Sequence, residues 1–151
     1  LGSRPSRAET FFKNDHREGG ALFMAYYFNK ILKTSFDDAV GRVTAALGRE
    51  GFGVLTVIDV KETLKKKLNA DFRKYQILGA CNPAFAHQAL QAEDKIGTML
   101  PCNVIVQENR PGEIEVAAID PVASMQAIQN PRLGNIAELV REKLKKVVET
   151  L

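Results

Sequence analysis

The spacing of apolar residues changes several times along the chain, and each change marks an element. Ala25 to Leu32 is rich in aromatic residues and bounded by Lys33-Thr34-Ser35, which predicts a first strand. Phe36, Val40, Val43 and Leu47 then recur at helical spacing, so one face of a helix is buried. Ser35 should cap that helix, with Asp38 three residues on, and Gly51 should end it in a left-handed turn. Val54 to Val60 is a short apolar, β-branched run and predicts a strand buried on both faces or nearly so. Lys61 to Leu68 predicts a short basic helix. Its Lys65, Lys66 and Lys67 point in different directions, as a solvated face does.

Arg73 to Ala80 predicts the third strand, Pro83 to about Ala92 a helix, and Gly97 to Pro101 a loop. Asn103 to Gln107 and Glu113 to Ile119 predict a hairpin, with Pro111 then Gly112 as a type II turn requires. Asp120-Pro121 should start a short helix running to about Ile128. Asn135 should cap the last helix, with Ile136, Leu139, Val140, Leu144, Val147 and Leu151 turned inward. The order is β-α-β-α-β-α-β-β-α-α. It predicts an α+β or α/β two-layer sandwich, with a mixed sheet of about five strands and helices packed mainly on one face. Residues 1–23 are polar and show no sustained period. They read as an N-terminal arm or start-site extension ahead of Met24, with 24–151 as a single domain.

Composition changes this picture little. A chain of 151 residues is one domain. At that size it buries roughly 68–70% of its unfolded surface and needs neither disulfide nor metal to fold. The net charge of +3 is small and dispersed, which argues against nucleic acid. No apolar run approaches the ~18 residues of a membrane span. The apolar run Ala21 to Phe28 ends at Asn29-Lys30, a poor signal-peptide cleavage site. Two cysteines without a clear signal peptide point to a reducing cytoplasm.

Candidate chemistry gathers between Leu78 and Asn103, where both cysteines lie and each is followed by asparagine. Asn82 is a strong N-cap residue, and Pro83 fits the first helical position. Cys81 therefore sits where a strand becomes a helix, beside free N–H groups and the positive end of the helix dipole. Such a position stabilises a thiolate. His87 lies one turn further in and could lean back toward the cap. Cys81 and His87 are thus the candidate catalytic residues. Cys81, Asn82, Cys102 and Asn103 are the candidate ligand-binding residues.

Simpler roles also fit. Both cysteines suit small buried strand-end positions. His87, Gln88 and Gln91 suit the wet stripe of a helix, and Asn82 and Asn103 suit a cap and a strand end. Two cysteines with no Cys-x-x-Cys pair do not supply a closed zinc site, so no metal is expected. No phosphate-binding glycine loop occurs, and no cofactor is expected. The nine residues Glu93 to Pro101, at about 3.3 Å each when extended, can return the chain to the edge it left. That predicts Cys102-Asn103 beside Cys81-Asn82.

Three segments, EGFGVLTVIDVKETLKKKL, LGACNP and MLPCNVIVQE, occur in that order, and the chain from about Tyr27 to about Met125 resembles domain-of-unknown-function family 302. The resemblance implies a small two-layer α/β domain, often dimeric, and implies no activity. Dimerisation is also expected from Tyr26, Tyr27 and Phe28, more aromatic surface than one strand usually buries. The resulting expectation is a cytoplasmic homodimer that binds a small molecule or anion at the Cys81-Asn82/Cys102-Asn103 edge. The alternatives are a thiol-dependent enzyme or redox sensor using Cys81, and a purely structural dimer. Partners other than itself and a small ligand are not expected, neither nucleic acid nor membrane.

Overall fold

The computed structural model describes residues 25–151; the expected N-terminal arm at 1–23 lies outside them. Five strands form one sheet: β1 (Tyr27–Lys33), β2 (Gly53–Asp59), β3 (Tyr75–Cys81), β4 (Cys102–Arg110) and β5 (Glu113–Ile119). Five helices accompany them: α1 (Phe36–Arg49), α2 (Val60–Leu68), α3 (Pro83–Ala92), α4 (Pro121–Ser124) and α5 (Pro131–Glu149). A 3-10 helix at Asp94–Met99 occupies part of the expected loop. The architecture is the expected two-layer α+β sandwich, and the element order is the expected one.

Pairing departs from the expected mixed sheet. The order is β1-β5-β4-β3-β2, and all four pairings are antiparallel. The two strands joined through α1 do run the same way, but they lie at opposite edges and never pair. Adjacent strands joined by a helix (β2 to β3, β3 to β4) reverse direction, because the chain returns to the end it left.

Local chemistry sets the helix ends. Ser35 Oγ accepts from the Asp38 N–H at 3.2 Å, as the sequence suggests. Gly51 adopts φ 84° after the last turn of α1, a conformation that favours glycine. Gly112 adopts φ 79° in the β4–β5 turn for the same reason. The last helix starts earlier than Asn135. Asn130 is its cap, with Oδ1 accepting from the Arg132 N–H at 3.1 Å, and Pro131 follows at the first position. This earlier start brings Leu133 and Ala137 into the core and leaves Leu139 46% exposed. α4 also stops at Ser124 rather than near Ile128, because the chain must turn before Asn130.

The core lies between the sheet and the α1–α5 layer. Leu78, Val104, Val106, Ile114 and Val116 of the sheet meet Phe36, Val43, Leu47, Leu144 and Val147 of the helices. A smaller cluster joins Ala89 of α3, Ile96 of the 3-10 helix and Leu133 of α5. β2 contradicts the expected double burial: Leu55 is 67%, Val57 57% and Ile58 48% exposed. An apolar, β-branched run fits any strand, and here it forms an edge with β3 as its partner. A bulge between Val54 and Thr56 bends that edge. Among the described residues no helix is long and apolar enough to cross a membrane.

Candidate functional site

β3 ends at Cys81 and β4 begins at Cys102, side by side and antiparallel. Ala80 pairs with Cys102 and Gly79 with Asn103. That register puts the Cα atoms of Cys81 and Cys102 roughly 6 Å apart, one strand spacing across and one residue along. The two cysteines therefore come together, as the chain-return argument expects. Both are free thiols; Cys81 is half-buried and Cys102 buried.

Cys81 and Cys102 both border a cavity of about 40 Å³ at the seam between the two core clusters; Cys102 sits on the core face opposite Ala80, and Cys81, the next residue of β3, turns its side chain toward the other face. Asn82, Phe85 and Ala89 border it from the start and inner face of α3. Met125 borders it after α4, and Leu133, Ile136, Ala137 and Val140 from α5. The walls are almost entirely apolar, and no charged side chain among the described residues lines them. The space suits roughly two or three waters' worth of ligand atoms. Burial, and then the nearby Cys81, push the Cys102 thiol up to about 11.

The other candidates divide. Asn82 borders the cavity but does not cap α3 with its side chain. Its Nδ2 instead donates to the Glu50 carbonyl at 3.4 Å, linking α3 to the end of α1. His87 is exposed and borders no part of the cavity. Phe85, Ala86 and Ala89 take the inward positions of α3, and helical spacing turns His87, Gln88 and Gln91 outward. The cavity therefore does not join His87 to Cys81.

Asn103 lies on the face of the sheet opposite the α1–α5 layer. Successive residues of a strand face opposite ways, so Cys102 and Asn103 cannot share a face. Asn103 borders a groove of about 360 Å³ with Tyr26, Tyr27, Tyr75, Ile105 and Gln107. A polar ladder crosses that face. Glu115 accepts from Asn29 at 3.0 Å and from Gln107 at 2.6 Å, and Arg73 Nε donates to Gln107 at 2.8 Å. Arg73 also stacks over Phe72, 4.4 Å from the ring centroid.

Met125 and the α5 residues are site members that the sequence reading misses. The α5 residues have as their only sequence signal its apolar stripe, which does not distinguish a cavity wall from packed core, and Met125 has none. Among the described residues no group of three or more His, Cys, Asp or Glu could hold a metal ion.

With its side chain off the cap, Asn82→Ala should cost less than the ~1 kcal/mol of a lost N-cap bond. Asn82→Ser should not recover what is lost, since serine cannot reach the Glu50 carbonyl. Urea melts of the two variants check this: a serine variant restored to wild type beside a weakened alanine variant would show a cap after all.

Fold and site together define an antiparallel α+β sandwich with a small apolar cavity, bordered by both cysteines, at one end of its sheet. The chain belongs to the family described as Domain of unknown function DUF302, which matches residues 28–151. A solved structure of similar fold is the crystal structure of uncharacterized conserved protein DUF302 from Bacillus stearothermophilus. It is 28% identical, with a TM-score of 0.75, over 82% of this chain and 96% of that one. No curated protein matches the chain.

Proposed function

We propose that the protein is a homodimeric binding module that takes a small, largely apolar molecule at Cys81, Asn82 and Cys102. The observation that carries this reading is the apolar cavity at the seam of the two core clusters, bordered by both cysteine residues. Of the two expected ligand types, the cavity favours the apolar molecule over the anion, because its wall offers no cation. A cytoplasmic location fits, since a reducing compartment keeps both thiols free.

A thermal-shift series tests the ligand. Small apolar probes should raise the melting temperature, simple inorganic anions should not, and Ala137→Leu, which fills the cavity, should abolish the effect. Absence of any shift with apolar probes would leave the purely structural dimer as the better reading.

The dimer is supported by the uncovered sheet face. Phe28 turns into the core, but Tyr26, Ile31 and Ile58 stay exposed on that side of the chain, together with the groove. Light scattering should return about twice the chain mass of 16.7 kDa; a mass near that of one chain at every concentration would overturn it.

One observation also favours the thiol-dependent reading, an enzyme or redox sensor working through Cys81: its thiol sits at the end of β3, just before the N-terminus of α3. Iodoacetamide should then modify Cys81 faster than free cysteine at pH 6–7, and an ordinary rate would remove the idea.

A further inference from the structure

We propose that the groove on the sheet face opposite the α1–α5 layer binds an organic ammonium ion, held by the Glu115 carboxylate and the rings of Tyr26, Tyr27 and Tyr75. This goes beyond the binding-module reading, which concerns the cavity on the other side of the sheet.

Strand register builds the groove. Tyr75, Gln107 and Glu115 form one cross-strand row, and Ile105 and Ala117 belong to the next. Asn103 lies one row further along β4, and Ile119 and Tyr27 pair at the same end. Alternate residues of a strand share a face, so all of these share this one. Ala117 is small, so the floor sinks between taller neighbours. Gln107 and Asn103 are four residues apart, which makes the groove roughly 13 Å long. Its volume of about 360 Å³ suits a small molecule. It is complete within one chain.

All three tyrosines of the chain border this groove, and the chain has no tryptophan. Tyr26 meets Tyr27 edge to face, with ring centroids 5.0 Å apart. Burial chiefly raises the Tyr75 phenol above its ordinary range; Arg73 opposes the rise, and Tyr26 and Glu115 add to it. Glu115 and the two phenols thus act on one another across the same space. Tyrosine ring faces carry partial negative charge and attract cations, ammonium ligands among them.

Glu115 supplies the full charge. Its oxygens accept from two neutral amides, Asn29 and Gln107, and a carboxylate bonded in this way keeps acceptor capacity for a ligand. No cationic side chain among the described residues pairs with it. Lys33 and Arg110 pair with Glu113, and Lys30 bonds carbonyls at the end of α5. Arg73 does not border the groove; it stacks over Phe72 and Tyr75 and reaches Glu115 only through Gln107. Among the described residues, the one ionised group in the groove wall is therefore an anion.

Tyrosine emission reads this groove alone, because every tyrosine of the chain borders it. The test is a titration at low protein concentration with three probes of one shape. They are choline, its uncharged isostere 3,3-dimethylbutan-1-ol, and the anion 3,3-dimethylbutanoate. Choline should give a saturating change in emission. The alcohol should bind about tenfold more weakly, the scale of one partly screened charge pair, and the anion should not bind. Glu115→Gln should weaken choline by the same factor. Tyr75→Leu should weaken it about threefold, whereas Tyr75→Phe keeps the ring and should match wild type.

No emission change with choline, or equal binding of the alcohol, overturns the proposal without any variant. Tighter binding of the anion also overturns it and would turn the groove over to Arg73 and the phenol hydroxyls. Undiminished choline affinity in Glu115→Gln does the same to the role of the carboxylate and to the proposal with it. The choline signal should persist in Ala137→Leu, so failure here and failure of the cavity reading are separate results.

Discussion

Gly79→Ala is expected to destabilise the protein by about 1–3 kcal/mol, the cost of overpacking a filled site. Gly79 is buried in the middle of the sheet, paired with Thr56 on β2 and Asn103 on β4. A Cβ there would lie 2.2 Å from Thr56 Oγ1 and 2.8 Å from Pro101 Cγ. The hydroxyl can rotate away, but the proline ring has no comparable freedom, so the backbone of β3 or of the segment before β4 must shift.

The two contacts can be separated. Thr56→Ala in the Gly79→Ala background should recover only part of the loss, because Pro101 remains. Urea midpoints of the two single variants and the double variant measure this. A Gly79→Ala midpoint equal to wild type would show that Pro101 yields freely. The shift also bears on the cavity, since Pro101 borders it and leads directly into Cys102. Gly79→Ala should therefore weaken ligand binding as well as stability.

The fold was readable in the sequence wherever a local signal decides the structure. Ser35 and Asp120 cap helices by their own side chains, and Gly51 and Gly112 take the positive φ angles their turns need. The amphipathic spacing of α1 selects its buried face directly. What was not readable depends on the order of strands in space. Val54 to Ile58 is apolar enough for a central strand, and only its place at the edge leaves it exposed. Helices between strands suggest a mixed sheet, yet a short helix can return the chain antiparallel as readily as a long one carries it across.

The site was legible in the same uneven way. The meeting of Cys81 and Cys102 follows from chain length and turn signals. The split between Cys102 and Asn103 follows from strand alternation, a rule the matching Cys-Asn dipeptides obscure. For Asn82 the residue type is right for a cap, but a competing tertiary partner, the Glu50 carbonyl, takes the side chain. Met125 and α5 reach the cavity through tertiary packing alone, which no local pattern encodes.

Stability should fall between pH 9 and pH 11 by up to roughly 2–3 kcal/mol, and Cys102 should account for the fall. In the unfolded chain the thiol titrates near its ordinary value of 9.0, whereas in the fold burial and the neighbouring Cys81 hold it at about 11. Below pH 9 both states carry the proton, and the folded state keeps its full advantage. Between the two values the unfolded chain releases the proton and the native protein does not, so unfolding becomes more favourable as pH rises. Above pH 11 both states are ionised and this contribution is gone. A difference of about two pH units, at ~1.4 kcal/mol each, sets the size.

Tyr75, also raised by burial, acts in the same direction, so the wild-type curve alone does not isolate the thiol. Cys102→Ala does, because it removes the thiol and leaves Tyr75 in place. Its stability should be lower than wild type near neutral pH, by the packing lost with the sulfur, and should decline less steeply from pH 9 upward. Denaturant melts at intervals of half a pH unit give both curves. Parallel declines would mean that the Cys102 thiol ionises as easily in the fold as in the unfolded chain. Water would then have to reach the thiol, against the buried position that Cys102 holds in the core.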